Sequence, residues 1–221
     1  MPIISLLNPK GGCGKTTLST QLARAYHERG AKVLLVDSDP QGSASDWHAS
    51  REDNPIPFLA YGRPENMKAL PNVAAPYEYV LIDGAAKLEG MIAAALKVSD
   101  AVLIPVQPSP YDIWAASDLV DLIRARQEVT DGKPLAAFVI SRAIKRTRLG
   151  HEVTGAVAEY GLPVFEARIT ERQVYPRTAS EGRTVFDAAA PDAIAEVNAV
   201  ADELDTLLTG RRAHDAQRKT A

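Results

Sequence analysis

Residues 8–17 read Asn8-Pro9-Lys10-Gly11-Gly12-Cys13-Gly14-Lys15-Thr16-Thr17, and they follow the short apolar run at 3–7. A strand that leads into a glycine-rich turn and then into Lys-Thr-Thr is typical of a phosphate-binding loop. Glycines let successive backbone N–H groups converge on phosphate oxygens, and the positive end of the following helix adds to the attraction. Lys15 supplies a point charge, and the Thr16 hydroxyl can ligate Mg²⁺. The stretch therefore predicts a nucleotide site that includes Gly11, Gly12, Cys13, Gly14, Lys15, Thr16 and Thr17.

The loop departs from the usual G-x-x-x-x-G-K-[ST] pattern at its start. Pro9 replaces the first glycine, and a second lysine, Lys10, stands directly before Gly11. A lysine at the mouth of the turn is awkwardly placed to bend back to its own phosphates, but it can reach a facing subunit. Lysines from two chains on one triphosphate would make ATP bind the dimer better than the monomer, which is what a switch requires. The alternative is an ordinary solvated lysine.

Length and composition limit the classes of protein that this chain can represent. Its 221 residues, 46% of them hydrophobic, are enough for one sizeable core, which we place at 1–209, followed by a polar, basic and flexible tail at 210–221. The net charge of −3 gives no overall attraction to nucleic acid. The one cysteine excludes an intrachain disulfide and favours a reducing compartment. Without a signal-peptide pattern or a membrane-length apolar run, we expect a cytoplasmic protein.

Apolar, strand-like runs alternate with helical segments along the whole chain. Several of the runs are almost continuously hydrophobic, as parallel strands buried on both faces should be. This order predicts an α/β fold with a doubly wound, mostly parallel sheet flanked by helices. We expect strands at 3–7, 33–36, 56–60, 79–82, 101–106, 135–140 and 164–169, and helices at 15–29, 88–98, 113–129, 147–160 and 193–208.

Acidic residues follow two of these strands at their carboxyl ends, where parallel sheets bind ligands. One strand runs into Asp37-Ser38-Asp39-Pro40-Gln41-Gly42, and another runs into Asp83-Gly84. Mg²⁺ in nucleotide sites uses few carboxylates and keeps most of its waters, so Asp37 and Asp83 join Thr16 as candidate metal ligands. Attack on a γ-phosphate also needs a group that orients water, and Asp39 is the candidate. The alternative is that these residues only cap helices and turns.

With the phosphate loop, the Asp-x-Asp-Pro-Gln motif and the Asp83 strand in place, the chain resembles the ParA family of deviant-Walker P-loop ATPases. It looks most like the small, plasmid-type, ParF-like members, and the likeness extends to Pro105-Val106-Gln107-Pro108-Ser109-Pro110 and to 169–175. Members of this family segregate plasmids and chromosomes or position other cargo.

The resemblance implies roles at the matching positions. Lys10 would reach the nucleotide of the opposite subunit in an ATP-sandwiched dimer, while Lys15 and Thr16 would hold phosphate and Mg²⁺. Asp39 would orient the attacking water, so that Lys10, Lys15 and Asp39 form the catalytic set. Asp83 would bind Mg²⁺ through water. Pro108, Arg172 and Val174 would border the adenine.

A basic cluster is the candidate DNA surface. It consists of Arg142, Lys145, Arg146 and Arg148, with Arg172 further along the chain. Such a run is often only a solvated face. The resemblance favours non-specific DNA binding by the ATP dimer, with strong salt dependence and no sequence preference.

Taken together, these features predict a slow ATPase that partitions or positions DNA cargo. It would use ATP and Mg²⁺, form a homodimer, associate with the nucleoid when ATP is bound, and respond to a ParB-like or ParG-like centromere-binding adaptor. One alternative is a MinD-like ATPase that cycles on membranes, which would need a basic amphipathic helix near the C-terminus. Others are a small-molecule ligase or kinase with the same loop, and a non-catalytic nucleotide-gated scaffold.

Overall fold

The computed structural model describes residues 1–86, 88–144 and 155–219, with side chains described as far as 210. Across these residues, seven parallel strands form one sheet in the order β3-β2-β4-β1-β5-β6-β7. The strands are β1 (Ile3–Leu6), β2 (Val33–Asp37), β3 (Phe58–Ala60), β4 (Tyr79–Asp83), β5 (Ala101–Val106), β6 (Leu135–Ala143) and β7 (Val164–Thr170). All seven predicted strands are confirmed, as is the fold class.

Helices cover both faces of the sheet. They are α1 (Lys15–Glu28), α2 (Ser43–Ala49), α3 (Pro64–Met67), α4 (Leu70–Val73), α5 (Glu89–Val98), α6 (Pro110–Ala115), α7 (Ser117–Glu128), α8 (Val174–Ala179) and α9 (Pro191–Lys219). Adjacent strand residues belong to opposite cores: Ile3 packs with the cluster that includes α5 and α7, whereas Ile4 packs with the cluster that includes α1 and α9. Burial on both faces explains why the strands read as continuous apolar runs.

Four of the helices, α2, α3, α4 and α8, were not predicted from the sequence, and three of the predicted helices differ from those observed. The helix expected at 113–129 is two helices, α6 and α7, with Ala116 between them. The helix expected at 147–160 is observed at 155–158, and its earlier residues lie outside the described part of the chain. The backbone of α9 continues to Lys219, so helix occupies most of the segment that we expected to be a flexible tail.

The sheet reverses its winding direction at β1. After β4, which pairs with one side of β1, the chain crosses over and continues with β5 on the other side. In a doubly wound sheet, the crevice outside the carboxyl ends of the strands at such a point is the usual ligand site. The loop at 8–14 leaves β1 at this position.

Close packing presses the end of β4 against the end of β1. Gly84 donates its N–H to the carbonyl of Leu6 at 3.2 Å, and a Cβ atom on Gly84 would lie 2.3 Å from Leu7 Cδ2 and 2.6 Å from the Leu6 carbonyl oxygen. Only glycine allows this approach, which holds Asp83 beside the loop that follows β1.

We expect Gly84→Ala to lower the free energy of unfolding by about 1–3 kcal/mol, because the added methyl group must displace buried neighbours. Gly62→Ala is the matched control, since Gly62 is exposed and an added Cβ meets nothing within 4 Å. Urea denaturation followed by circular dichroism measures both. Equal midpoints for the two variants would contradict the role assigned to Gly84.

Candidate nucleotide-binding site

Hydrogen bonds from neighbouring elements fix the shape of the loop. The Ser141 hydroxyl at the end of β6 donates to the Cys13 carbonyl at 2.6 Å, and the Gln107 amide after β5 donates to the Gly12 carbonyl at 2.6 Å. Gly12 and Gly14 have φ angles of 77° and 96°, which side-chain-bearing residues rarely adopt. The carbonyls of Gly12 and Cys13 thus accept hydrogen bonds from within the protein. The first N–H groups of α1, in contrast, have no acceptor within the helix. This arrangement suits an anion at the helix start.

Cys13 and Lys15 are both buried beneath the loop. Burial raises the pKa of the Cys13 thiol, whose Sγ donates to the Lys10 carbonyl at 3.3 Å. The side chain therefore fills space, and any contact of Cys13 with nucleotide would come from its backbone. Lys15 is 7% exposed, and its Nζ donates to the same Lys10 carbonyl at 3.0 Å. Its ammonium group lies within the curve of the loop, where a phosphate would sit.

Asp83 and Thr16 come together as predicted. The Thr16 hydroxyl donates to Asp83 Oδ2 at 2.7 Å, while Asp83 Oδ1 is buried with no hydrogen-bond partner among the described residues. Burial raises the pKa of Asp83 to about 7, and the neighbouring charge of Asp37 adds to this rise, whereas the hydrogen bond from Thr16 opposes it. A buried carboxylate with a spare oxygen beside a hydroxyl group fits a hydrated Mg²⁺ ion.

Asp37 lies opposite Asp83 in the register of β2 and β4. Both of its carboxylate oxygens already accept hydrogen bonds: Oδ1 from the N–H of Asp39, and Oδ2 from the N–H and hydroxyl of Ser45. These contacts stabilise the turn into α2, so turn formation is the function that the geometry supports. Its assignment as a metal ligand remains a prediction. The half-buried Asp39 accepts the N–H of Gln41 at 3.0 Å, and its role in orienting water is likewise a prediction.

A cleft of about 340 Å³ lies next to the loop and is large enough for a base and sugar. Of the residues predicted to border adenine, Arg172 lines this cleft, whereas Pro108 and Val174 are not among its lining residues. Tyr175 also lines it, and its hydroxyl is buried with no partner among the described residues. Because burial raises the pKa of Tyr175, the phenol keeps its proton and is available to a ligand as a donor.

The basic cluster is only partly described. Arg142 pairs with Glu171 at 2.9 Å, and Arg172 pairs with Glu196 at 2.6 Å and with Asp192 at 3.7 Å. Carboxylates therefore offset the charge of both arginines. The other three predicted residues, Lys145, Arg146 and Arg148, lie outside the described part of the chain, so the DNA surface remains a prediction.

Sequence reasoning missed three residues that shape the site. Gln107 and Ser141 hold the loop carbonyls, and Asp112 in α6 forms an ion pair with Lys10. Ser141 lies near the carboxyl end of β6. The rule that parallel sheets bind ligands at the carboxyl ends of their strands, which identified Asp37 and Asp83, could also have identified Ser141. Asp112 gave no such signal, because it lies 102 residues along the chain from Lys10.

The raised pKa of Asp83 predicts a pH dependence of stability. An ordinary aspartate titrates near pH 4, so between about pH 4 and pH 7 the folded chain holds a proton that the unfolded chain releases. The free energy of unfolding of the nucleotide-free and Mg²⁺-free chain should therefore fall as pH rises through this window, with a contribution from this group of at most about 1.4 kcal/mol per pH unit.

Asp83→Asn cannot ionise and should remove that contribution, whereas Asp118→Asn, at an exposed position in α7, should retain it. Urea denaturation over this pH range gives the comparison. The assignment is wrong if Asp83→Asn shows the same pH slope as the wild type.

Comparison with known proteins agrees with the nucleotide-binding site that the structure indicates. Residues 4–185 match the model of the CobQ/CobB/MinD/ParA nucleotide binding domain. Two proteins named for maintenance of carboxysome distribution are similar: one from Halothiobacillus neapolitanus is 31% identical over 93% of this chain and 94% of its own length, and one from Gloeobacter kilaueensis is 33% identical over 92% and 94%. The chromosome-partitioning ATPase Soj of Thermus thermophilus is 29% identical over 82% of this chain and 86% of its own.

Solved structures share the fold at lower identity. Apo McdA from Cyanothece has a TM-score of 0.79 at 18% identity and covers 92% of this chain and 99% of its own. MinD from Aquifex aeolicus has a TM-score of 0.75 at 20% identity, with 92% and 97% covered. Cobyrinic acid a,c-diamide synthase from Mycobacterium smegmatis, solved with ADP and magnesium, has a TM-score of 0.67 at 21% identity, with 82% and 91% covered.

Within the described residues, no helix has the length and apolarity needed to cross a bilayer. The phosphate loop, the strand-end carboxylates, the family match over residues 4–185 and the relatives at 31–33% identity lead to one conclusion. The chain belongs to the CobQ/CobB/MinD/ParA nucleotide-binding family and is a ParA-family deviant-Walker ATPase.

Proposed function

We propose that this protein is an ATP-dependent dimerising ATPase that positions cargo on DNA. One observation carries the proposal: a second lysine, Lys10, stands at the mouth of a phosphate loop that already contains Lys15 and Thr16. Lys15 within the loop is sufficient to serve its own phosphates, which leaves Lys10 for the nucleotide of a second chain. Binding of ATP would then favour the dimer, and hydrolysis would release it.

The residues at the site suit ATP with Mg²⁺. Thr16 and Asp83 would hold the ion, which neutralises phosphate charge when bound. The loop N–H groups and Lys15 would bind the phosphates, and Asp39 would orient the attacking water from the turn after β2. Gly12, Gly14 and Thr17 line the same cleft as Tyr175, so the phosphate and base positions are continuous.

The proposal has two versions, which differ in the cargo that the protein would position. Segregation of a plasmid or chromosome, with a ParB-like or ParG-like adaptor, agrees with the likeness to Soj. Positioning of a protein compartment is the second candidate, because the relatives from Halothiobacillus and Gloeobacter are named for carboxysome distribution. In both cases the ATP dimer would bind DNA without sequence preference, and an adaptor would stimulate hydrolysis.

Membrane cycling is less favoured by the structure of α9. Val197, Val200 and Leu204 on its inner face are fully buried in the core cluster that includes α1 and the sheet, and Ile194 and Leu207 are partly buried against that cluster. A helix that uses its apolar face in the core does not offer that face to a lipid surface. Co-sedimentation with anionic vesicles in the presence of ATP would support the membrane alternative.

A small-molecule ligase is the remaining alternative, because the diamide synthase shares the fold. The two possibilities differ in what ATP does: a positioning ATPase hydrolyses ATP without a second substrate, whereas a ligase needs one. Slow phosphate release by the purified protein alone, increased by DNA and an adaptor, would favour the proposal.

The first test measures molecular mass by light scattering with ADP and with a slowly hydrolysed ATP analogue. We expect the wild type to be monomeric with ADP and dimeric with the analogue, and Lys10→Ala to remain monomeric with both. Lys32→Ala is the control, because Lys32 is exposed and precedes β2, at the opposite edge of the sheet from the loop. A wild type that stays monomeric with the analogue would refute the dimer mechanism.

The second test concerns DNA. Arg146→Glu combined with Arg148→Glu should weaken binding of the analogue-bound dimer to DNA on the order of tenfold or more and lower its salt dependence, because phosphate contacts release counterions. Lys32→Glu combined with Lys97→Glu is the control: it changes the net charge equally, at exposed positions that precede β2 and β5. Fluorescence anisotropy of labelled DNA over a salt series measures both. If the two pairs weaken binding equally, DNA binds elsewhere.

A further inference from the structure

The ion pair between Lys10 and Asp112 is a feature that the proposed function does not explain. Asp112 is only 2% exposed, and its Oδ2 accepts the Lys10 Nζ, whereas Oδ1 is buried with no partner among the described residues. The Lys10 side chain is 35% exposed. A lysine expected to reach out to another chain is thus held by a buried carboxylate of its own chain.

The physical cost of separating this pair is high. A carboxylate removed from water needs a cation or hydrogen-bond donors, and loss of its partner leaves an uncompensated buried charge. Within the described residues, the Asp112 carboxylate has Lys10 as its hydrogen-bonding partner and no other. When Lys10 leaves, Asp112 loses that compensation. The pair therefore favours the state in which Lys10 points inward.

The backbone of Lys10 is held as well. Its N–H donates to Asn8 Oδ1 at 2.9 Å, and its carbonyl accepts Lys15 Nζ at 3.0 Å. Because Lys15 is also the group that binds phosphate, an arriving nucleotide would compete for the ammonium that now rests on the Lys10 carbonyl. Nucleotide binding would loosen one of these restraints, while the contact with Asp112 would persist.

We propose that Asp112 is a positioning residue that holds Lys10 back in the monomer and thereby sets the ATP concentration needed for dimerisation. This inference rests on the proposed function. Each of the two chains must release its lysine, so the effect enters the dimerisation constant twice. If Lys10 were free in one chain out of ten, the constant would be lowered about a hundredfold.

Asp112→Asn tests this, since it keeps the shape of the side chain and removes its charge. At fixed protein concentration, we expect the ATP-analogue concentration for half-maximal dimerisation to fall on the order of tenfold or more. Affinity for ADP in the monomer should stay unchanged. Asp118→Asn, an exposed aspartate in the next helix, is the matched control and should behave as wild type. Lys10→Ala with Asp112→Asn should not dimerise, because the gain acts through Lys10.

A second measurement examines the monomer directly. In the nucleotide-free protein, the rate at which an amine-reactive reagent modifies Lys10, relative to Lys32, should rise several-fold in Asp112→Asn and remain unchanged in Asp118→Asn. Mass spectrometry of the corresponding peptides provides the rates. Should Asp112→Asn fail to fold, Asp112→Ser offers a neutral and smaller replacement for both measurements.

The outcomes distinguish a failure of this inference from a failure of the proposed function. If the wild type dimerises but Asp112→Asn needs as much analogue as wild type, or more, Asp112 does not restrain Lys10, and only this inference fails. Unchanged labelling of Lys10 would overturn it too. If the wild type never dimerises with the analogue, the proposed function fails and this inference fails with it.

Discussion

Burial of the central strands on both faces is the constraint on which the rest of this structure depends. A strand such as β1 is covered by helices on either side, and its one polar side chain, Ser5, is buried in a hydrogen bond with Ser99. Residues that are free to bind a ligand must therefore lie where the strand ends. Parallel pairing brings the carboxyl ends of β1, β2 and β4 to one edge, and the close contact at Gly84 draws two of them together. A binding site at this edge follows from the packing.

Residues outside the phosphate loop hold it in its conformation. Gln107 directly follows β5, and Ser141 lies in β6, the next strand in the sheet; each holds one loop carbonyl. Such external support lowers the entropy that a ligand would lose by ordering the loop. The strength of nucleotide binding thus depends on residues far along the chain, in addition to those of the glycine-rich stretch itself.

Much of this architecture could be read from the sequence, because local patterns encode it. Apolar runs marked every strand, and the loop residues with Asp83 marked the phosphate and metal positions. What could not be read were contacts between distant segments, such as the pairing of Lys10 with Asp112. The break at Ala116 was missed as well: the sequence predicts one helix over 113–129, whereas the structure has two helices, α6 and α7, on either side of Ala116. The hydrogen bonds that Asp37 accepts from Asp39 and Ser45 could not be read either, and its assignment as a metal ligand stays a prediction.

The raised pKa of Asp83 would couple the binding of Mg²⁺ to the release of a proton. A carboxyl with a pKa of about 7 is only partly ionised near neutral pH, whereas a divalent cation needs the charged form. Asp83 would therefore release a proton when Mg²⁺ is bound beside Thr16 and take one up when the site is empty. The heat of Mg²⁺ binding would then include the ionisation of the buffer. On the proposed function, each ATPase cycle would exchange protons with the solvent besides those of ATP hydrolysis itself.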